Sequence, residues 1–300
     1  MPFITFFSTP KPFTKPHTNT IQRNAIQSWL RAGNDIEVLL IGEEEGLAEV
    51  AAEYGVRHLP NVARNLFGTP LISSIFQLAR EASDSELMVY VNTDIILPPN
   101  FQKIVQQVAN QADDFLAVGH RWDFDLTEKL DFSENWDENL QKDARAQGKR
   151  RGSSSIDYFI FPRKFYTHIP DFAIGRTAWD NWMIFHAHEQ KLPVIILTSS
   201  LMVIHQNHGF GHVPGGKNQS GEAQKNLTAA GGRRNIYYLL DATHEFRHGK
   251  IRRVRWSLVK LIRHFERWTT PEEPKGKRWY FSRRLFKTWV KLERLKTYAE

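Results

Sequence analysis

The first part of the chain, to about residue 100, alternates between two hydrophobic patterns. Short continuous apolar runs predict buried strands at 3–9, 36–42, 56–60 and 87–97. Between them, apolar residues recur with helical spacing at 19–33, 46–55 and 70–82. Buried strands that alternate with helices are typical of a parallel sheet covered on both faces. The pattern therefore predicts an α/β fold with helices on both faces of the sheet.

From residue 100 onward the pattern is less regular. Helical spacing recurs at 100–112 and 179–190. Apolar runs predict further strands at 115–126, 155–166 and 193–208, the last of which fits one strand or two. Residues 127–152 are highly polar, so we expect a long surface loop there, with a helix around 136–147.

The charge of the chain is unevenly distributed. Residues 247–300 hold 17 Lys and Arg against 5 Asp and Glu, a net charge of +12, whereas residues 1–246 hold 23 and 28, a net charge of −5. Two amphipathic helical patterns, at 251–268 and 278–298, make up most of the basic segment. We therefore predict a domain at 1–246 and a basic helical extension at 247–300.

Two interpretations of this extension are open. In the first, its helices pack on the acidic domain; in the second, their cationic and aromatic faces attach the chain to an anionic membrane surface. We favour the first for the helix at 251–268 and the second for the helix at 278–298. Nucleic acid is not an expected partner, because no recognition module is visible.

Composition narrows the chemistry and the location. The chain of 300 residues has no cysteine, which excludes disulfides, thiolate metal sites and cysteine nucleophiles. This fits a reducing cytoplasm, and an extension that binds lipid would place the protein on the inner face of the membrane. Neither a signal peptide nor an apolar run of about 18 residues is visible, so no membrane span is expected.

Asp94 is the first candidate for chemistry. It lies near the end of the apolar stretch MVYVNTDIIL, where an ionised carboxylate away from water is costly. It either begins a turn or holds a metal ion. In parallel α/β sheets ligands bind at the carboxyl ends of the strands, which favours the metal.

Further motifs follow in a recognisable order. Thr9-Pro10-Lys11 follows the first strand and Glu43 follows the second. The triplet NTD ends at Asp94, and DFAIGRTAWDNW (171–182) and VIHQNHGFGH (203–212) come later. Over residues 3–215 this order resembles the GT-A-type nucleotide-sugar glycosyltransferases, which implies a GT-A-like fold of Rossmann type with a mixed, mostly parallel sheet. In that superfamily a D-x-D motif at the end of a central strand binds a divalent cation that holds the donor diphosphate. Here the first Asp is Asn92, so Asp94 is the main carboxylate ligand.

The resemblance implies roles for a set of residues. Donor binding is implied for Thr9, Glu43, Asn92, Thr93, Asp94 and Arg176. Acceptor binding is implied for Asp123, Asp157, Trp179 and Trp182. Asp180 is implied as the general base that takes the proton of the acceptor hydroxyl. Simpler alternatives stay open: Asp180 only favours a helix N-terminus, the tryptophans are core, and the other charges lie on the surface or at strand ends.

A late histidine completes the cation site in the superfamily. HQNHGFGH offers His205, His208 and His212, and His205 is preferred because it directly ends a predicted strand. The cation is expected to be Mn²⁺ or Mg²⁺. The glycine-rich segment 209–232 is expected to close over the donor and exclude water.

These assignments predict a metal-dependent glycosyltransferase. It would move a sugar from a nucleotide-diphosphate donor to a hydroxyl of a glycan or glycolipid acceptor, with inversion. Two alternatives are a metal hydrolase built on the histidine cluster, and a non-catalytic peripheral membrane or polyanion-binding protein on a degenerate fold. The replacement at Asn92 is the best support for the last.

Overall fold

The computed structural model describes residues 2–208 and 221–297. The strands are β1 (Ile4–Ser8), β2 (Ile36–Ile41), β3 (Arg57–Leu59), β4 (Leu87–Val91), β5 (Ile95–Ile96), β6 (Leu116–Val118), β7 (Arg121–Phe124), β8 (Lys149–Arg150), β9 (Tyr158–Pro162), β10 (Val194–Ile196), β11 (Val203–Gln206), β12 (His244–Arg247) and β13 (Lys250–Arg253). The helices are α1 (Pro16–Trp29), α2 (Leu47–Tyr54), α3 (Ile72–Ala82), α4 (Phe101–Ala109), α5 (Trp136–Gln147), α6 (Trp179–Glu189), α7 (Gly221–Ala229), α8 (Leu258–Thr269) and α9 (Gly276–Thr297).

The larger sheet contains nine of the described strands, in the order β13-β12-β10-β6-β9-β4-β1-β2-β3. β1 pairs in parallel with β2 on one side and with β4 on the other. β10 is parallel to both β6 and β12, whereas β9 runs antiparallel to β4 and β6. The predicted mixed, mostly parallel sheet is confirmed.

Residues along the central strands alternate between two cores, one on each face of this sheet. Val89 and Val91 of β4 belong to the core that α1, α2 and α4 cover. Met88 and Tyr90 belong to the opposite core, which α3 and α6 cover. Helices therefore cover both faces, as predicted. Burial on both sides is why these strands read as continuous apolar runs.

A smaller sheet has the order β5-β11-β7-β8. β11 is antiparallel to β5 and parallel to β7. Helix α5 supplies Trp136, Leu140 and Ala144 to a third core with Ile96 and Ile204 of this sheet. The helix expected around 136–147 is confirmed.

Two segments that we predicted as single strands are each divided between the sheets. Segment 87–97 forms β4 in the larger sheet and β5 in the smaller one, and the backbone turns at residues 92–94. Segment 115–126 forms β6 and β7 in the same way. The single-strand predictions were wrong because apolar periodicity reports burial, which both sheets provide, and not the sheet that a residue joins.

The basic extension begins within the larger sheet. β12 and β13 form an antiparallel pair at its edge, so the predicted boundary after residue 246 falls inside β12. The helix predicted at 251–268 begins only at Leu258, because residues 250–253 form β13.

Both helices of the extension pack on the rest of the fold. Arg263 of α8 forms a buried ion pair with Asp241 at 2.8 Å. In α9, Trp289 is 1% exposed, and Glu293 accepts a hydrogen bond from the Ser153 N–H at 3.0 Å. Packing on the domain therefore holds for both helices, including the one that we had assigned to the membrane. Among the described helices, none is long and apolar enough to cross a bilayer.

Candidate metal site at the ends of the central strands

The pairing of β5 with β11 brings Asp94 to His205. In this antiparallel ladder Ile95 lies opposite His205, and the Gln206 N–H donates to the Asp94 carbonyl at 3.0 Å. Asp94 lies in the turn between β4 and β5, directly beyond the end of β4. The two predicted ligands therefore meet, although more than a hundred residues of chain separate them.

Asp94, His205 and His208 form a compact cluster of potential ligands. The Oδ2 atom of Asp94 is 2.8 Å from Nε2 of His208 and 3.6 Å from Nε2 of His205. One ligand atom from each side chain lies within 4.8 Å of the other two. The Oδ1 atom of Asp94 is buried and has no hydrogen-bond partner among the described residues. A buried carboxylate oxygen without a partner fits a cation ligand.

The electrostatics of the cluster favour a charged pair when no metal is bound. Burial alone would raise the pKa of Asp94, but His205, with smaller effects from His208 and Lys11, holds it well below its usual range. Burial alone would lower the pKa of His205, but Asp94 and Asp123 raise it to about 9. A divalent cation that binds here would replace the His205 proton as the positive charge beside Asp94.

Arg121 connects two further carboxylates to the cluster. Its guanidinium lies 2.9 Å from Oδ1 of Asp123 and forms a second ion pair with Asp157. Asp123 in turn lies 3.2 Å from Nδ1 of His205, its register partner across β7 and β11. Both carboxylates that we assigned to an acceptor are therefore engaged by Arg121. An acidic neighbour on the far nitrogen of a ligand histidine is a common means of orienting the ring.

Asn92 and Thr93 hold the turn that presents Asp94. The Tyr90 hydroxyl donates to Oδ1 of Asn92 at 3.1 Å, and Nδ2 of Asn92 donates to Oδ1 of Asp157 at 3.0 Å. The Thr93 hydroxyl donates to the Gln22 side chain at 3.1 Å. The two side chains that precede Asp94 thus both have protein partners.

The loops after β1 and β2 carry polar side chains, some of which are buried and some exposed to solvent. The Thr9 hydroxyl is buried without a hydrogen-bond partner among the described residues. Glu43 is exposed to solvent, whereas the neighbouring Glu44 turns inward and pairs with Arg64 at 2.9 Å. One oxygen of Glu44 is also buried without a partner within the described part of the chain. In this loop the side chain that turns toward the interior is therefore that of Glu44, and not that of the predicted Glu43.

Asp180 lies in the first turn of α6, beside the end of β4. Its Oδ1 atom accepts the backbone N–H of Asn181 at 2.9 Å. The adjacent Trp179 contacts the Tyr90 ring edge-on, with centroids 5.0 Å apart. Burial raises the pKa of Tyr90, and the charges of Asp94, Asp157 and Asp180 raise it further. All three carboxylates therefore lie close enough to the Tyr90 hydroxyl to oppose its ionisation.

The two tryptophans assigned to an acceptor are core residues. Trp179 is 5% exposed and also packs on Phe159, and Trp182 is 7% exposed and stacks on His186 at 4.6 Å. Neither ring has a free face for a sugar, which favours the core interpretation that we had kept open.

Arg176 is engaged by a carboxylate. Its Nε and one terminal nitrogen lie 2.9 and 2.6 Å from Oε2 of Glu222. His212 and the first half of the segment expected to close over the donor, residues 209–220, lie outside the described residues.

Three residues of the site received no role from the sequence. Lys11 follows β1, and its position at the end of a central strand was a usable signal. Glu44 stands in a run of three glutamates, and nothing in the sequence distinguishes it from its neighbours. Arg121 acts through strand register, which only the folded sheet reveals.

Comparisons with known proteins concern the fold. No family model and no curated protein matches the sequence. The fold is similar to a Staphylococcus aureus TarS structure, with 8% sequence identity, a TM-score of 0.46, and coverage of 68% of this chain and 60% of that one. It is also similar to glucosyl-3-phosphoglycerate synthase from Mycobacterium tuberculosis in complex with Mn²⁺, UDP-glucose and phosphoglyceric acid. There the identity is 14%, the TM-score 0.48, and the coverage 86% of this chain and 88% of that one. The chain thus spans about 60% of the TarS structure.

Proposed function

We propose that this protein transfers a sugar from a nucleoside-diphosphate donor to an acceptor hydroxyl, with the help of a divalent cation. The observation that carries the proposal is the convergence of Asp94, His205 and His208 beyond the carboxyl end of β4. The similar solved structures include complexes with UDP-GlcNAc and with UDP-glucose and Mn²⁺. At identities of 8–14% we take the assignment from the geometry of this site.

The cluster lies where an α/β sheet binds its ligands. From β1 the chain proceeds to β2 and β3 on one side, then returns to β4 on the other. Strand order therefore reverses between β1 and β4, and ligands bind in the crevice outside the carboxyl ends at such a point. Lys11 follows β1 and Asp94 follows β4. A diphosphate above this edge would meet a cationic side chain on one strand and a cation on the other.

The residues fit a divalent cation. Asp94, His205 and His208 would hold it, and one Asp94 oxygen has no partner among the described residues. Imidazole ligands suit Mn²⁺ better than Mg²⁺, so we propose Mn²⁺ as the better occupant. When bound, the cation would neutralise the negative charge that develops on the departing nucleoside diphosphate.

The chain's own groups would then orient the reactants. Asp180 remains our candidate for the base that takes the acceptor proton, and a carboxylate base at that position suits inversion. Asp123 and Asp157, both paired with Arg121, would orient His205 and Asn92 rather than bind the acceptor directly. A glycan or glycolipid acceptor, and donor contacts from Thr9, Glu43 and Arg176, remain predictions.

Ligand-dependent thermal stability tests the donor site. UDP with Mn²⁺ should raise the melting temperature, because a ligand at 100 times its Kd stabilises the fold by about 2.7 kcal/mol. Asp94→Asn keeps the shape of the side chain but removes the charge, and should abolish the increase. Asp113→Asn, at an exposed carboxylate outside the site, should retain it.

The same thermal measurement, combined with metal analysis of the purified protein, distinguishes the transferase from a metal hydrolase. Two histidines and a carboxylate are also a ligand set of catalytic zinc. Zinc that co-purifies in equal proportion with the protein, with no thermal response to any nucleoside diphosphate, would contradict the transferase and favour the hydrolase.

A further inference from the structure

Helix α8 packs on the fold with its polar face. A helix on the surface of a water-soluble domain normally buries its apolar stripe and exposes its charges. In α8 the inward-facing residues include Arg263, Glu266 and Thr269, which are 3%, 6% and 8% exposed. The arrangement is the reverse of the usual one.

The buried polar face is well paired. The Arg263 guanidinium forms ion pairs with Asp241 and Glu266 and lies 4.8 Å from the centroid of the Tyr238 ring. Its neighbour Trp289 on α9 is buried. Because buried charges persist only when they are paired, this contact defines the orientation of α8 on the domain.

The opposite face of α8 is an exposed apolar stripe. Leu258, Leu261, Phe265 and Trp268 are 64%, 43%, 49% and 72% exposed. Their spacing of three, four and three residues places them on one side of the helix. Single exposed apolar residues are ordinary, but a contiguous patch marks an interaction surface. We call these four residues the α8 stripe.

Further aromatic residues lie at both ends of the stripe. Trp256, just before α8, is 72% exposed. At the other end, Arg278 of α9 donates to the Trp268 and Thr269 carbonyls, which brings the first turns of α9 to the end of α8. Tyr280, in those turns, is 74% exposed.

The surroundings of the stripe are cationic. Residues 247–270 contain eight Lys and Arg and a single acidic residue, Glu266, which is buried against Arg263. A cavity of about 700 Å³ beside α8 is lined by many basic residues, among them Arg253, Lys260 and Arg267. Among the described residues that line it, Asp241 is the one carboxylate, and Arg263 already neutralises it.

We infer that the α8 stripe docks the protein onto an anionic lipid bilayer. The stripe would enter the headgroup region, while the flanking arginines and lysines contact lipid phosphates. The buried ion pairs let α8 bind the domain and the bilayer at once, because each uses a different face of the helix. This surface is separate from the cluster at Asp94, so either proposal can fail without the other.

The charge of the surface favours a bilayer over other occupants. A second copy of this chain would bring an equally cationic surface against the first, and the two would repel. Nucleic acid would satisfy the arginines but would leave the exposed leucines and aromatics in water. An anionic bilayer accommodates both the charge and the apolar stripe.

Vesicle flotation of the full chain tests the inference. Vesicles with about one-third phosphatidylglycerol should bind the protein, pure phosphatidylcholine should not, and added salt should weaken binding. Phe265→Ser/Trp268→Ser should reduce the affinity at least tenfold, as roughly expected from the apolar area lost. The matched control is Leu66→Ser/Phe67→Ser, an exposed apolar pair away from α8, which should bind as the wild type does.

Charge variants and spectroscopy extend the test. Arg252 and Arg255 are exposed, and replacing each by Gln should weaken binding roughly fivefold. Brominated lipid should quench the wild-type tryptophan fluorescence more than that of Trp268→Phe. Melting curves of all variants should overlay that of the wild type, because none of these residues is buried.

The following results would overturn the inference. They are absence of binding to the anionic vesicles at low salt, equal binding to neutral vesicles, an equal loss of binding in the Leu66/Phe67 control, and a dimer in solution that Phe265→Ser/Trp268→Ser dissociates. Binding of an oligonucleotide that these apolar substitutions weaken would overturn it as well.

Discussion

One proton on His205 should link the stability of the metal-free protein to pH. Burial lowers the pKa of this histidine, but Asp94 and Asp123 raise it to about 9 in the folded chain. A histidine in the unfolded chain titrates near a pH of about 6.5. Because the folded-state pKa is the higher one, the proton stabilises the fold. That stabilisation is complete below about pH 6.5 and is lost as the pH rises through about 9.

The size of the effect follows from the shift. The difference between the two pKa values corresponds to roughly 3 kcal/mol. We expect the free energy of unfolding of EDTA-treated protein to fall by about this amount from near pH 6.5 to near pH 9. Urea unfolding across this window measures it. His205→Gln should remove this component of the pH dependence, whereas His168→Gln, at an exposed histidine, should keep it.

Metal affinity should change in the opposite direction over the same window. A histidine must lose its proton before it coordinates a cation, so protons compete with Mn²⁺ for His205. The apparent Mn²⁺ affinity should therefore rise about tenfold per pH unit until about pH 9 and then level off, as measured by calorimetry. A flat affinity, together with an unchanged stability profile in His205→Gln, would refute the view that His205 holds a proton between two carboxylates.

Three further substitutions give distinct outcomes. Asn92→Asp restores the D-x-D pattern, but it replaces the amide that donates to Asp157 with a second carboxylate. The free energy of unfolding in urea should therefore fall by about 2 kcal/mol or more, and Mn²⁺ should not bind more tightly. Arg263→Met removes the closest cation from two buried carboxylates, Asp241 and Glu266, and leaves Asp241 only Arg267 at 3.8 Å. It should cost about 3–5 kcal/mol in the same assay, whereas the exposed Arg252→Met should change little. Asp180→Asn should slow sugar transfer about 10²- to 10⁴-fold while the thermal response to UDP and Mn²⁺ persists, and full activity would identify Asp180 as a helix-terminal residue only.

The central elements follow from the sequence because several signals agree there. At α2, helical spacing, glutamates on the exposed side and Gly55 at the C-terminus predict one helix, and Gly55 takes the left-handed conformation that ends it. The division of segments 87–97 and 115–126 between the two sheets was missed for a physical reason. A residue in β5 and one in β4 are equally buried, so the hydrophobic pattern does not distinguish them.

The candidate site was also predictable only in part. Asp94 and His205 could be proposed as ligands because each lies near the end of a predicted strand and the order of motifs resembles that of a known superfamily. The network of Arg121, Asp123 and Asp157 could not be found in this way. It depends on which residues of β7 and β11 face each other and on the approach of Asp157, just before β9 of the larger sheet, to Arg121 of β7; both are properties of the assembled sheets.

Helix α8 shows most clearly what hydrophobic periodicity does not predict, namely which face of a helix is turned toward the domain. Its spacing correctly predicts an amphipathic helix, and we expected this helix to pack on the acidic domain without specifying which side would face it. Periodicity identifies which residues share a face, but the medium that each face meets depends on what else is buried nearby. Asp241 is buried beneath α8 and needs a cation, and Arg263 supplies it from the polar side of the helix. With the polar side turned inward, the apolar stripe must face outward. An anionic bilayer on the outer side would then accommodate both the cationic residues and the apolar stripe of this helix.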